Sequence, residues 1–188
     1  MSPCVKTEAP QLLPADVVLT HSDFWYGELI RWFTRGKGEP ETWANHAAIM
    51  VSNLMVLEAL TTVKKHPLAE IKDAFQVWRH TGLQFYERVY IRDAALEYLG
   101  RSYGPLKLGL HALDGLIHKA TGKDVFLFRR MALMKPYPIC SWVVTWAYFN
   151  GANYQFSVHP NYADPDHIHD HVTQSGHWEM VYEQGATK

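Results

Sequence analysis

Short apolar runs predict several β-strands along the chain. Residues 16–20 (DVVLT) form a compact apolar run that is typical of a buried strand. Two β-prone runs at residues 43–51 and 54–59 flank a Ser-Asn turn signal, so they predict a β-hairpin. Residues 75–79 (FQVWR) predict a further strand. Near the end of the chain, residues 178–182 alternate between apolar and polar side chains, as an edge strand does.

Apolar residues recur at helical spacing in much of the remaining chain. This spacing predicts helices over residues 24–33, 86–99, 106–117 and 140–149, and glycine or proline stands beside most of the predicted ends. The order of helices and strands has no βαβ regularity, and there is no glycine-rich phosphate loop. The pattern therefore favours an α+β fold with an antiparallel sheet packed against helices.

The length of 188 residues suits one domain with a substantial core. Residues 1–14 contain three prolines and are expected to form a flexible N-terminal tail, followed by a single domain over residues 15–188. No apolar run follows a basic start, so no signal peptide is expected. No run approaches the ~20 apolar residues of a membrane span. A cytoplasmic location without an integral membrane segment is expected, and a phage- or virus-encoded origin is compatible with it.

Composition narrows the classes of partner. The formal net charge is −1, which gives no reason to expect nucleic acid as the main partner. The two cysteines, Cys4 and Cys140, cannot form a disulfide framework, so a reducing compartment is expected. The basic and apolar residues between 106 and 135 are compatible with a lid or a peripheral lipid contact, although a core helix with a solvated face is the simpler interpretation.

Cys140 is the first candidate for chemistry. It follows Pro138 and opens the predicted helix, where unpaired backbone N–H groups and the helix dipole favour a thiolate over a thiol. A thiolate is a nucleophile suited to covalent catalysis. The alternative is that Cys140 is a small, inert core thiol, as many free cysteines are.

His46 and Glu58 lie on the two strands of the predicted hairpin. If the hairpin loop has an odd number of residues, for example Val51-Ser52-Asn53, His46 and Glu58 lie directly opposite each other on one face of the sheet. A carboxylate there would hold the imidazole in place and stabilise its protonated form. The alternative is a structural cross-strand pair at the rim of the sheet.

The order of these segments resembles a known family. Residues 45–49 (NHAAI) and 56–59 (VLEA) precede residues 140–144 (CSWVV), and residues 99–104 (LGRSYG) contain a Gly-x-x-Tyr-like segment. This arrangement resembles the circularly permuted branch of the NlpC/P60 papain-like superfamily, in particular the YiiX-like group. The resemblance implies a papain-like fold, in which an antiparallel sheet or partial barrel packs against a helix that begins at the cysteine.

The resemblance also implies roles for individual residues. Cys140 becomes the nucleophile, His46 the base and Glu58 the acid that orients it, with Tyr103 close to the thiol. Substrate or oxyanion contacts are expected from Ser141 and from Asn45, which replaces the family's usual Ser or Thr before the histidine. Residue 142 also departs from the family, because it is Trp where Glu or Gly is common.

The implied function is a cysteine peptidase or amidase that acts through a thioester, with no cofactor. Peptides of the cell-wall type are one expected substrate class. An acyltransferase or thioesterase acting on lipids or acyl-amides is an alternative within the enzymes. A non-catalytic module that binds a peptide or lipid in the same cleft is the alternative outside them. The sequence does not indicate an oligomeric state.

Five histidines near the end of the chain suggest a metal site at first sight. Histidines two apart on a strand share a face and can bind zinc. The spacing fits no established motif, however, and a polar, exposed loop without metal is the expected structure. These histidines are His159, His167, His169, His171 and His177.

Overall fold

A computed structural model describes residues 11–21, 43–102, 117, 120–121 and 139–185 of the chain. The predicted helix over residues 24–33 lies outside this part, as do Cys4, Tyr103 and residues 106–116 of another predicted helix. Residues 11–14, which the sequence assigns to a tail, contact the sheet. Leu12 is buried, and the Gln11 carbonyl accepts a hydrogen bond from Arg79 Nη2 at 2.8 Å.

A six-stranded antiparallel sheet forms the centre of the described structure. In space the strands follow the order β4-β3-β2-β1-β5-β6, so the earliest strand of the chain lies in the middle. The strands are β1 (Val17–His21), β2 (His46–Met50), β3 (Met55–Ala59), β4 (Val63–Pro67), β5 (Ala74–His80) and β6 (Trp178–Gln184).

Three α-helices accompany this sheet within the described residues, which confirms the α+β class. They are α1 (Phe85–Leu96), α2 (Cys140–Ala152) and α3 (Pro165–Gln174). The predicted hairpin is confirmed by β2 and β3, and the predicted edge strand by β6 at one end of the sheet. No sequence signal had predicted β4, because all its residues except Val63 are at least partly exposed.

Helix α3 corrects the prediction of a loop at the C-terminal histidines. Pro165, Ile168 and Val172 are buried along one side of this helix, at helical spacing. Asp164 caps its start, because the carboxylate Oδ1 accepts a hydrogen bond from the His167 backbone N–H at 2.9 Å. The helix therefore has both an apolar side and an N-terminal cap, and its histidines occupy the remaining surface.

The core has two parts, one on each face of the sheet. Alternate residues of β1, β2 and β3 pack with helices α1, α2 and α3 on one face, and the intervening residues form a second apolar cluster on the other. The first includes Val17, Leu19, Ala47, Ile49, Leu57, Val143, Val144 and Ala147. The second includes Leu12, Val18, Ala48, Met50, Val56, Ile71, Phe75 and Val77.

Helices α1 and α2 approach each other closely at Gly151. A Cβ atom built on Gly151 would lie 2.5 Å from the Cα and N atoms of Ile91. The sequence predicted this helix over residues 140–149, which leaves Gly151 beyond its end, and that boundary was wrong. The helix continues to Ala152 and ends at Asn153, which adopts a left-handed conformation with φ of 50°.

Asp16 is a fully buried carboxylate that ties the start of β1 to two other elements. It accepts hydrogen bonds from Arg79 Nη2 of β5 at 2.6 Å and from Arg88 Nη1 of α1 at 3.1 Å. Its Oδ2 also accepts the Leu13 backbone N–H at 2.8 Å. Because its charge is paired, Asp16 fixes the position of the central strand under the helices.

None of the helices in the described ranges is both long and apolar enough to cross a membrane.

Candidate active site

The hairpin of β2 and β3 brings His46 and Glu58 together on one face of the sheet. Ala48 is the residue directly opposite Glu58, so the predicted direct pairing of His46 with Glu58 was wrong. The turn is displaced by one residue toward Leu54, with the Val51 N–H bonded to the Met55 carbonyl at 2.9 Å. The displacement moves the pairing by two residues, which keeps His46 and Glu58 on the same face as diagonal neighbours.

His46 and Glu58 are in direct contact. His46 Nε2 lies 3.0 Å from Glu58 Oε2, and the two side chains are 16% and 9% exposed. Because a carboxylate only accepts hydrogen bonds, Nε2 must carry the proton and donate it. The other ring nitrogen, Nδ1, is therefore the one left to exchange a proton with a neighbour.

Cys140 supplies that neighbour from the first residue of helix α2. Its thiol is buried, with 6% of the residue exposed, and it forms a side-chain hydrogen bond with His46. The backbone N–H groups of Ala47 and Ser141 also donate to the sulfur. A strand and a helix start thus surround the sulfur with donors, an environment that stabilises a thiolate.

The charges of Cys140 and His46 depend on each other. Burial opposes the Cys140 thiolate, but the His46 charge, its hydrogen bond and the two backbone donors bring the pKa of Cys140 below its ordinary value of 9.0. Burial also opposes the His46 cation. The Cys140 charge and the hydrogen bonds to Cys140 and Glu58 outweigh it and raise the pKa of His46 from 6.5 to about 10. Each group therefore favours the charged form of the other, the Cys140 thiolate and the His46 imidazolium.

Glu58 has a second histidine partner that sequence reasoning missed. His66 Nε2 of β4 lies 2.6 Å from Glu58 Oε1, and the His66 side chain is 11% exposed. Burial opposes the Glu58 carboxylate, but the contacts with His46 and then His66 keep the pKa of Glu58 below 4.5. No pattern in the sequence indicated His66, because its strand, VKKHP, carries two lysines and was not predicted at all.

Three further residues were predicted to contact the substrate or the oxyanion: Ser141, Asn45 and Tyr103. The Ser141 hydroxyl is buried and donates to the Ala163 carbonyl at 2.8 Å, so the contribution of Ser141 to the thiol comes from its backbone N–H. Asn45 is buried beside His46, and its backbone N–H donates to the Thr20 carbonyl at 3.1 Å. Tyr103 lies outside the described residues.

One group of side chains has the composition of a metal site. Asp166, His169 and Asp170 of helix α3 offer ligand atoms that all lie within 4.8 Å of one another. The group lies on a partly exposed helix surface, where acidic residues commonly occur without a metal ion. His169 also stacks on Trp43, with ring centroids 5.8 Å apart.

No family model matches the chain, and no significant match was found among the curated proteins or the solved structures.

Proposed function

We propose that this protein is a cysteine hydrolase of the amidase or peptidase type. One observation carries the proposal: Cys140 begins a buried helix and is hydrogen-bonded to His46, whose Nε2 in turn contacts Glu58. A nucleophile, a base and an orienting acid in this sequence of contacts are the parts that acyl transfer requires. A protein that only binds a ligand gains nothing from a buried thiolate and imidazolium, which are costly to desolvate.

The geometry supports a two-stage reaction. In the first stage the Cys140 thiolate attacks the substrate carbonyl, and backbone N–H groups at the start of helix α2 stabilise the oxyanion. As the bond to the leaving amine breaks, His46 donates its Nδ1 proton to that amine, and a thioester remains. In the second stage water gives a proton to His46 and attacks the thioester. The acid product leaves, and the thiolate and imidazolium are restored.

The proposal extends to the family that the sequence resembles. A histidine strand and a glutamate strand precede a cysteine helix, and an antiparallel sheet packs against that helix. This order agrees with the permuted NlpC/P60 papain-like arrangement that the sequence motifs suggest. We therefore propose peptides of the cell-wall type as the first substrates to test, with acyl-amides and lipid esters as the next.

Alkylation of the thiol tests the proposal without a known substrate. We expect iodoacetamide to modify Cys140 near pH 6 faster than it modifies a free cysteine, because a thiolate is present there. Mass spectrometry of the peptide that contains Cys140 separates this reaction from that of Cys4. His46→Ala should slow the modification at pH 6 by at least about tenfold, the effect of one pKa unit.

His177→Ala is the matched control, because His177 is an exposed histidine and should leave the reaction unchanged. If Cys140 in the folded wild-type protein reacts only at the pH of an ordinary thiol, or only after unfolding, the proposed function is wrong.

A further inference from the structure

The Glu58 carboxylate divides its two oxygens between two imidazoles. Oε2 faces His46, which contacts the proposed nucleophile Cys140. Oε1 faces His66, which lies on the next strand, β4. We propose that His66 is a positioning residue for the Cys140 site: it holds Glu58 ionised and directed at His46. The inference rests on the proposed function and adds a fourth member to its chain of contacts.

The sheet places His66 as the counterpart of His46. On β2, Ala48 is opposite Glu58 and His46 is two residues away from Ala48. On β4, Lys64 is opposite Glu58 and His66 is two residues away from Lys64. Residues two apart on a strand share a face, so both histidines reach Glu58 diagonally from its two neighbouring strands. This regular geometry fixes both rings without a flexible loop.

The two contacts of Glu58 differ in kind. The Glu58 Oε2 contact with His46 is a hydrogen bond of 3.0 Å. The Oε1 contact with His66 is shorter, at 2.6 Å, but Oε1 does not lie along the direction of the Nε2–H bond. It is therefore a close polar contact rather than a hydrogen bond, and the His66 ring also gives steric support. Glu58 Oε1 cannot turn away from this position without losing its contact with the His66 ring.

Both nitrogens of His66 face oxygen acceptors. Nε2 faces Glu58, and Nδ1 lies 3.0 Å from the Pro67 carbonyl oxygen and 3.6 Å from Glu70 Oε2. The His66 ring therefore lies between the Glu58 carboxylate on one side and these two oxygens on the other. The contacts in the described structure run from Cys140 through His46 and Glu58 to His66.

The other charged groups near His66 are few among the described residues. Glu70 follows β4 in a short 3₁₀ turn and is exposed. Lys64 is exposed on the same strand and lies opposite Glu58. Removing the His66 ring would take away the group that lies 2.6 Å from Glu58 Oε1. Glu58 would then bind a proton more easily, and the His46 cation would lose part of its support.

The test is the pH profile of Cys140 alkylation in His66→Phe, which keeps an aromatic ring but removes both nitrogens. We expect the apparent pKa of the thiol to rise, so that the rate near pH 6 falls about tenfold while the rate at pH 9 changes little. A residue that only supports the fold would not move the profile in this way. Lys65→Ala is the control, because Lys65 is the exposed neighbour of His66 and pairs with Leu57.

A second variant keeps the test decisive if His66→Phe does not fold. His66→Gln retains an N–H donor without a charge and should shift the profile in the same direction by less. If wild-type Cys140 shows the low pKa and neither folded variant shifts it, His66 is not a positioning residue, although the proposed function stands. If wild-type Cys140 reacts like an ordinary thiol, the proposed function fails and the role of His66 fails with it.

Discussion

Glu58 shows how a single polar residue is held in an apolar strand. Its neighbours Val56, Leu57 and Ala59 are fully buried or nearly so, and Glu58 itself is 7% exposed. Desolvation of a carboxylate at such a position is costly unless it is paired. His46 and His66 supply this pairing. The contact between Glu58 and His46 therefore both stabilises the buried Glu58 carboxylate and favours the protonated form of His46.

Replacing Glu58 with glutamine should separate charge from shape. Glu58→Gln keeps the size of the side chain but removes the negative charge that stabilises the His46 cation. We expect kcat/KM on a cleaved substrate to fall on the order of 10²-fold at neutral pH, with a larger loss at higher pH, because the weakened His46 cation gives up the proton that it donates to the leaving amine. The pH dependence of kcat/KM measures this.

Glu179→Gln is the control for that experiment, since Glu179 is an exposed residue of the edge strand β6. Equal kcat/KM in Glu58→Gln and in the wild-type protein would show that Glu58 does not act on His46.

Among the elements, the contact between α1 and α2 decides where Cys140 lies. The backbones meet at Gly151 with no space for a side chain. Gly151→Ala should push α2 away from α1 and destabilise the fold by about 1–3 kcal/mol, as overpacking in a core does. Chemical denaturation followed by circular dichroism measures the free energy of unfolding.

Gly185→Ala is the matched control, because a Cβ at Gly185 meets no atom within 4 Å and its φ is not left-handed. An unchanged free energy of unfolding in Gly151→Ala would mean that the two helices tolerate separation. Because α2 begins with Cys140, the proposed nucleophile, the same variant should also slow the alkylation of Cys140.

The sequence predicted elements best where burial and pattern agree. Strands β1, β2 and β3 are almost wholly buried, and their apolar runs were recognised. Strand β4 lies at the edge of the sheet with exposed lysines, so it had no apolar signal, and His66 was missed with it. In α3 the buried residues Pro165, Ile168 and Val172 recur at helical spacing, but the histidines between them led to the prediction of a loop.

The candidate site was predictable in its residues but not in its register. Types of side chain and a turn signal identified His46, Glu58 and Cys140. The position of the turn depends on whether Leu54 belongs to the strand or to the loop, and Leu54 is 67% exposed, so its apolar character was misleading. The role of Gly151 was also unpredictable, because it depends on Ile91 of another helix.

For the whole molecule, a cluster of aromatic and histidine side chains links β5, α3 and β6. Tyr154 is its centre: its hydroxyl accepts a hydrogen bond from Trp178 Nε1 at 3.0 Å and contacts His171 Nε2 at 2.7 Å. When Nε2 of His171 is unprotonated, it accepts the hydroxyl proton of Tyr154. His80 packs edge-on against the Tyr154 ring. A neutral His171 with Nε2 unprotonated fits this arrangement.

This cluster should make the fold sensitive to acid. Burial, and then repulsion by His177, lower the pKa values of His80 and His171 from 6.5. Below pH 6.5 the unfolded chain therefore binds more protons than the folded one, and stability falls as the pH falls toward the lowered values. We expect the Tm to decrease between pH 7 and pH 5. His171→Gln, which can still accept the Tyr154 hydroxyl proton, should reduce that decrease.

His159→Gln is the control, since His159 lies outside this cluster, beside Trp146 and Phe149. If the Tm of His171→Gln falls with pH as steeply as that of the wild-type protein, another group causes the sensitivity to acid.

The order of the strands also bears on how the site arises during synthesis. His46, Glu58 and His66 lie on the consecutive strands β2, β3 and β4, whereas Cys140 is added only after residues 68–139. A ribosome adds about 5–20 residues per second, while hairpins form in about 1–10 μs. For several seconds the nascent chain therefore carries His46, Glu58 and His66 but not Cys140. The proposed nucleophile meets its proposed base only after residues 140–152 are made and α2 docks, so no chain that ends before Cys140 can form the proposed site.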